Sequence, residues 1–146
     1  MPILGIDHGE KRIGIAISDP TDTIATPLAI LRHVSRTADA RLVLEIAGEH
    51  QVTAVVIGES TDEDGAPNLA GRRARRFAET LRSLCDLAIV LWDESLSTQD
   101  AREWRRAGGA SRKRRAARVD AAAAAVMLQS YLETLRHARA EGAAKG

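Results

Sequence analysis

Three acids stand where they could do chemistry. Asp7 ends the short apolar run Ile3-Leu4-Gly5-Ile6. Asp93 and Glu94 lie just beyond a second run that closes on Leu91-Trp92, and Asp120 opens a long alanine-rich segment. Carboxylates gathered at one edge of a sheet are hard oxygen ligands of the kind that Mg²⁺ or Mn²⁺ takes. Two such ions ~4 Å apart stabilise the attacking and leaving oxygens of phosphoryl transfer. Position alone leaves a second reading open for each acid, because a carboxylate after a strand also serves as a turn residue or a helix cap. Asp120 departs furthest from that reading. It lies between Val119 and five consecutive alanines, without polar company, and an unpaired buried charge costs several kcal/mol.

The cations are concentrated rather than spread. Between Ala101 and Asp120 stand Arg102, Arg105, Arg106, Arg112, Lys113, Arg114, Arg115 and Arg118 against only Glu103 and Asp120, although the chain as a whole carries +1. Such an island holds a polyanion, and Arg112, Lys113, Arg114 and Arg115, with Lys11 and Arg12 just past Asp7, are the expected nucleic-acid contacts. For Arg72, Arg73, Arg75 and Arg76 a solvated charged face and a phosphate-binding face are equally good readings. Aromatic residues make up 3% of the chain, too few for base stacking along a single strand, so shape rather than sequence is the expected determinant. His8 follows Asp7 but reads as a packing or surface residue, and His33, His50 and His137 form no constellation. Cys85, the single cysteine, reads as a small buried hydrophobe.

These residues need elements to position them. A first strand ends at Asp7. Ile13, Ile15 and Ile17 alternate with Gly14, Ala16 and Ser18 across Arg12 to Ser18, the period of two of a hairpin partner. A third strand over 24–31 contains Pro27, which places it at an edge. Leu42, Val43, Ile46 and Ala47 recur at helical spacing within 38–50, a β-branched strand follows at 52–57, and Asn68 caps a helix running to Leu84. A strand over 87–91, a short helix opened by Ser97 to Asp100, and a long helix over 119–139 complete the order. This is an α/β chain: an antiparallel meander, then strands alternating with helices, giving a mixed five-stranded sheet with helices on both faces and a site along the strand ends. A length of 146 residues fits one domain, read as 1–140 with a loose tail at 141–146. No export signal and no apolar run of ~18 residues is visible, so a cytoplasmic protein with no membrane association is expected.

Three blocks together resemble one family. Leu4-Gly-Ile-Asp-His-Gly-Glu-Lys-Arg-Ile-Gly-Ile-Ala-Ile-Ser-Asp19, then Val55-Val-Ile-Gly58 with Trp92-Asp-Glu-Ser-Leu-Ser-Thr98, then Ser111-Arg-Lys-Arg-Arg with Val119-Asp-Ala-Ala-Ala-Ala and Met127-Leu-Gln-Ser-Tyr-Leu132 are similar in order and spacing to the YqgF (RuvX) family. That family comprises Holliday junction resolvases now associated with maturation of pre-16S ribosomal RNA. The resemblance covers residues 2 to 133. It implies an RNase H-like fold and a metal-dependent endonuclease that uses Mg²⁺ or Mn²⁺ on Asp7, Glu94 and Asp120. The implied substrate is structured RNA such as pre-16S rRNA, or branched DNA. Cutting two strands symmetrically requires a homodimer, whereas an RNA nuclease can act as a monomer.

The chain also departs from the family pattern. Gly58-Glu-Ser-Thr-Asp-Glu-Asp-Gly65 replaces a Gly-Leu-Pro stretch followed by Asn-Met-Asp-Gly, and Ser95 stands where the family commonly has Arg. Glu59 is an additional acid, since RuvC-type resolvases carry a glutamate near the end of this strand. It either supplements Glu94 or belongs to an exposed acidic loop. These departures keep alive an inactive nucleic-acid or ribosome-binding module. ATP handling, which an Asp-x-Gly hairpin also serves in actin-like folds, requires two such domains and is not expected at this length.

Overall fold

A computed structural model describes residues 2–62, 64–93 and 112–145; for 112–120 and 141–145 it describes the backbone course alone. The elements run in the order β1 (Ile3–His8), β2 (Arg12–Ser18), β3 (Ala25–Arg32), α1 (Arg36–Glu49), β4 (Ala54–Glu59), α2 (Leu69–Leu84), β5 (Ala88–Asp93) and α3 (Arg112–Lys145). The five strands form one sheet in the order β3-β2-β1-β4-β5. The β1-β2 and β2-β3 pairs are antiparallel, while β1-β4 and β4-β5 are parallel. Pro27 lies on the edge strand its missing N–H requires.

Alternation along the strands divides the core in two. Leu4 and Ile6, Ile13 and Ile15, and Val55 and Ile57 point to one face, where Val43 of α1 and Phe77 and Leu81 of α2 cover them. Ile3, Ala16 and Val56 point to the other face and meet Ala124, Met127, Leu128 and Leu132 of α3. Alanines on α3 let the helix approach closely, and at Gly5 the approach leaves no room at all: a Cβ there would lie 2.8 Å from Leu128 Cβ. Gln129 fixes α3 lengthwise, accepting from the Ala25 N–H at 2.9 Å and donating to the Thr23 carbonyl at 2.9 Å.

The helix ends differ from expectation in two places. The long helix begins at Arg112, not at Val119, and continues to Lys145 through the segment 141–145 read as a loose tail. Arg, Lys, Glu and Ala are strong helix formers, so the basic tract and the alanine-rich end extend the helix without an apolar stripe of their own. Asp120 therefore lies more than two turns inside α3 instead of at its start. The short helix expected after Ser97 lies outside the described residues. At α1, Ser35 accepts from the Ala38 N–H at 3.1 Å, and at α2, Asn68 accepts from the Gly71 N–H at 3.0 Å, the cap expected from the sequence.

Candidate functional site

Asp7 stands one residue before the end of the central strand. Its odd-numbered neighbours Ile3 and Gly5 face α3, so alternation turns Asp7 to the same face. Gly14 is its partner across β2, and on β4 Gly58 follows Ile57, the partner of Ile6. Both neighbouring positions thus lack a side chain. Asp7 is half-buried, and among the described residues no side chain bonds or pairs with its carboxylate. A half-desolvated, unpartnered carboxylate flanked by two glycines fits a hard divalent cation better than it fits a turn cap.

On α3 the backbone position of Asp120 is four, seven and eight residues from Ala124, Met127 and Leu128, the stripe that packs on the sheet. Asp7 and the stripe that continues through position 120 therefore share one face of the sheet. Arg112, Lys113, Arg114 and Arg115 occupy the first turn of α3, about 7 to 12 Å before Asp120 along the axis. They lie on the same helix as Asp120. Glu94 lies outside the described residues, and among the described residues no group of three His, Cys, Asp or Glu side chains is arranged to hold a metal ion.

Glu59 takes a different course. It follows Gly58 and is turned to the face that α2 covers, where Arg75 Nε donates to its carboxylate and Arg75 Nη2 approaches its second oxygen at 3.4 Å. The pairing raises the Arg75 pKa through that hydrogen bond and the adjacent charge. The structure does not bring Glu59 to Asp7. Asp93, paired with Glu59 in the β4-β5 register, accepts from Thr61 Oγ1 at 3.5 Å.

His8 points away from Asp7. Its ring packs on Phe77 of α2 with centroids 4.7 Å apart and lies 6.3 Å from the His33 ring. Burial, and then the His33 ring beside it, hold its pKa below the ordinary histidine value. This is the packing role expected of it. His33, in contrast, does form a constellation: its Nδ1 lies 2.5 Å from Oδ2 of Asp39, whose other oxygen accepts from the Val34 N–H at 3.0 Å. Asp39 has no exposed surface and sits in the first turn of α1, where the helix dipole favours a negative charge. The available signal was local, a Ser35 cap with an acid four residues on. Cys85 is partly rather than fully buried, with its thiol directed to the Leu81 carbonyl at 3.2 Å.

Lys11 and Arg12 lie in the β1-β2 hairpin and line a cavity of about 610 Å³ with Glu10, Ile30, Arg32 and His33. Among the described residues no helix is long and apolar enough to cross a membrane.

A curated relative from Ruegeria sp. strain TM1040, named "Putative pre-16S rRNA nuclease", is 38% identical over 137 residues, covering 94% of this chain and 87% of its own. One of the same name from Anaeromyxobacter sp. strain Fw109-5 is 40% identical over 138 residues, covering 94% of this chain and all of its own. Among solved structures, Thermus thermophilus RuvC in complex with a Holliday junction substrate superposes with a TM-score of 0.60 at 13% identity, over 94% of this chain and 96% of that one. The Fowlpox virus resolvase with Holliday junction DNA gives 0.57 at 14%, over 92% and 99%. At such identities the likeness concerns the fold, which is the RNase H-like fold that the resemblance of the three sequence blocks implied. The model of the family described as RuvX, Holliday junction resolvase, matches residues 1–134, and the chain belongs to that family.

Proposed function

We propose that this single domain is a divalent-metal-dependent endonuclease that hydrolyses phosphodiester bonds in structured nucleic acid, with pre-16S rRNA as its substrate and branched DNA as a second. The observation that carries the reading is Asp7: a carboxylate with no partner among the described residues, at the end of the central strand, between two glycines, on the face covered by the helix that contains Asp120.

Asp7, Glu94 and Asp120 are the proposed ligands. Their oxygens form a hard donor set suited to Mg²⁺ or Mn²⁺, and a bound cation of this kind supplies Lewis-acid polarisation of the phosphoryl group. Asp7 is held in place by the β1-β2 ladder on one side and by β4 on the other, so its orientation is set before any ligand arrives. Lys11 and Arg12 lie one hairpin beyond it, and Arg112, Lys113, Arg114 and Arg115 open the helix that carries Asp120. Phosphate contacts from these cations position the strand without reading its bases. Relatives named for pre-16S rRNA processing and a family described by junction resolution support this substrate class.

The test is cleavage of a pre-16S rRNA fragment and of a four-way DNA junction with Mg²⁺ or Mn²⁺, by the parent and by Asp7→Asn. Loss of an outer partner of a metal ligand costs ~10–100-fold, and removal of a ligand is expected to cost more. Equal cleavage by Asp7→Asn on both substrates overturns the site. Cleavage that survives complete chelation overturns the metal.

A further inference from the structure

On the opposite side of the strand end from Asp7 lies a second cavity of about 480 Å³, lined by His8, Gly9, Glu10, His33, Arg36, Arg73 and Arg76. Three guanidinium groups from two helices converge here, Arg36 from the first turn of α1 and Arg73 and Arg76 from α2. None of the three forms an ion pair among the described residues. Arg75, between them in sequence, turns the other way to Glu59. Among the described residues the one carboxylate lining the cavity is Glu10, while Asp39 behind it is already committed to His33 and Val34. Nε of Arg73 and Nδ1 of His8 are buried without a hydrogen-bond partner among the described residues. Buried donors are normally satisfied, so the unpaired Nε marks hydrogen-bonding capacity that Arg73 has left over beside the cavity its residue lines.

The cavity is not isolated. It shares Glu10 and His33 with the larger cavity lined by Lys11, Arg12 and Arg32. Arg12 and Arg32 are partners in the β2-β3 register and, by alternation with Gly14, stand on the Asp7 face of the sheet. The two cavities therefore make one basic path that starts on the Asp7 face, crosses the end of the hairpin and ends among Arg36, Arg73 and Arg76.

We infer that Arg36, Arg73 and Arg76 form a phosphate clamp that holds the backbone of a nucleic-acid strand on the α1-α2 side of the sheet, away from the cut made at Asp7. This rests on the proposed nuclease reading and adds a second place where the strand is held. Guanidinium groups in a cluster take phosphate oxygens in paired, planar hydrogen bonds, and neither bases nor sequence enter the recognition. The same chemistry would accept a free phosphate or a mononucleotide; the connection to the Asp7 face favours a continuous strand.

The experiment measures binding by the full-length Asp7→Asn protein, so cleavage plays no part in the readout. Fluorescent single-stranded RNA and DNA 20-mers and a four-way junction are titrated between about 50 and 200 mM salt, a range over which phosphate contacts govern affinity. Each of Arg36→Ala, Arg73→Ala and Arg76→Ala is expected to lower the slope of log K against log salt by about 1, and the triple variant by about 3. Arg136→Ala, on the distal half of α3, controls for the loss of one exposed charge and leaves the slope unchanged. Arg73→Lys keeps the charge, and Arg36→Ala with Arg76→Ala tests the clamp without touching the buried Nε, should Arg73→Ala fold poorly. A slope unchanged in the Arg36→Ala/Arg76→Ala double variant overturns the clamp. So does a free-ligand site, revealed if inorganic phosphate or AMP binds the Arg cluster while the 20-mer slopes stay at the parent value. Failure of the nuclease reading shows separately, as no metal-dependent cleavage by the parent protein, and failure of its site as equal cleavage by Asp7→Asn.

Discussion

Gly5→Ala tests whether α3 is seated as closely on β1 as the Asp7 face requires. The added Cβ would lie 2.8 Å from Leu128 Cβ, 3.1 Å from its Cδ2 and 3.3 Å from its Cγ, whereas ordinary contact begins at 3.4 Å. The nearest atom is a Cβ, fixed to the helix backbone, so a change of rotamer cannot relieve it and α3 itself must move. Overpacking of this kind costs ~1–3 kcal/mol. At this chain length that is a fall in midpoint of about 4 °C per kcal/mol. Leu128 is fully buried, and Leu128→Ala alone costs ~2–5 kcal/mol. Because alanine keeps the offending Cβ, it relieves the clash only in part. Leu128→Gly removes it entirely, at a further ~1 kcal/mol for glycine in a helix. Urea denaturation of the singles and doubles should therefore give a coupling energy with Gly5→Ala that is larger for Leu128→Gly than for Leu128→Ala. Equal couplings, or a Gly5→Ala cost below about 0.5 kcal/mol, would refute the close seating of α3.

The buried Asp39 ties the β3-α1 turn together, and hydrogen bonds to a charged group contribute ~1.5–3 kcal/mol. Asp39→Ala is expected to lower stability by about 2–3 kcal/mol in urea, with much less change for His33→Ala, which leaves the Val34 contact intact. Two pH limbs follow from the shifted groups. Asp19 accepts from the Ile24 N–H, the Thr21 hydroxyl and the Thr23 N–H, and these bonds hold its pKa at about 2 against an ordinary 3.8. Its contribution is present above pH 3.8 and lost as the pH falls from there to about 2, so Asp19→Asn should differ from the parent at neutral pH and converge with it near pH 2. His8 is held below 6.5 by burial, so below that pH the unfolded chain takes up a proton that the folded chain resists. Stability should decline as the pH drops through that region, and His8→Phe should flatten that part of the profile in thermal melts.

Much of this was legible because the sheet is built from strict alternation. Ile13, Ile15 and Ile17 against Gly14, Ala16 and Ser18 assign the two faces of β2, and Pro27 places β3 at the edge. Asn68 marked the start of α2 through its cap. The start of α3 was not legible, since a run of Arg and Lys has high helix propensity but no apolar period to reveal it. Nor was the fate of Glu59, because its distinction from Asp7 is one of sheet face. It depends on strand parity relative to a neighbour fifty residues away. His33 and Asp39 lie six residues apart across a strand end and a cap, a spacing that no periodic template contains.

Parity also explains how the basic path reaches both sides of the sheet. Leu28 and Leu31 both pack against the α1-α2 core, which an unbroken strand cannot achieve with residues three apart. The register shows the device. Ile15 pairs with Ala29 and Ala16 with Pro27, so Leu28 is an extra residue and β3 changes parity there. Before the bulge Ala25 packs on the α3 side; after it Ala29 and Leu31 pack on the other side, which sends Ile30 and Arg32 to the Asp7 face. Without the bulge Arg32 would be directed into the apolar layer and Leu31 out of it. One inserted residue on the edge strand thus keeps the core apolar and sets Arg32 beside Arg12. From that pair the path turns over the hairpin to His33, the first residue after the strand, and to Arg36, which opens α1.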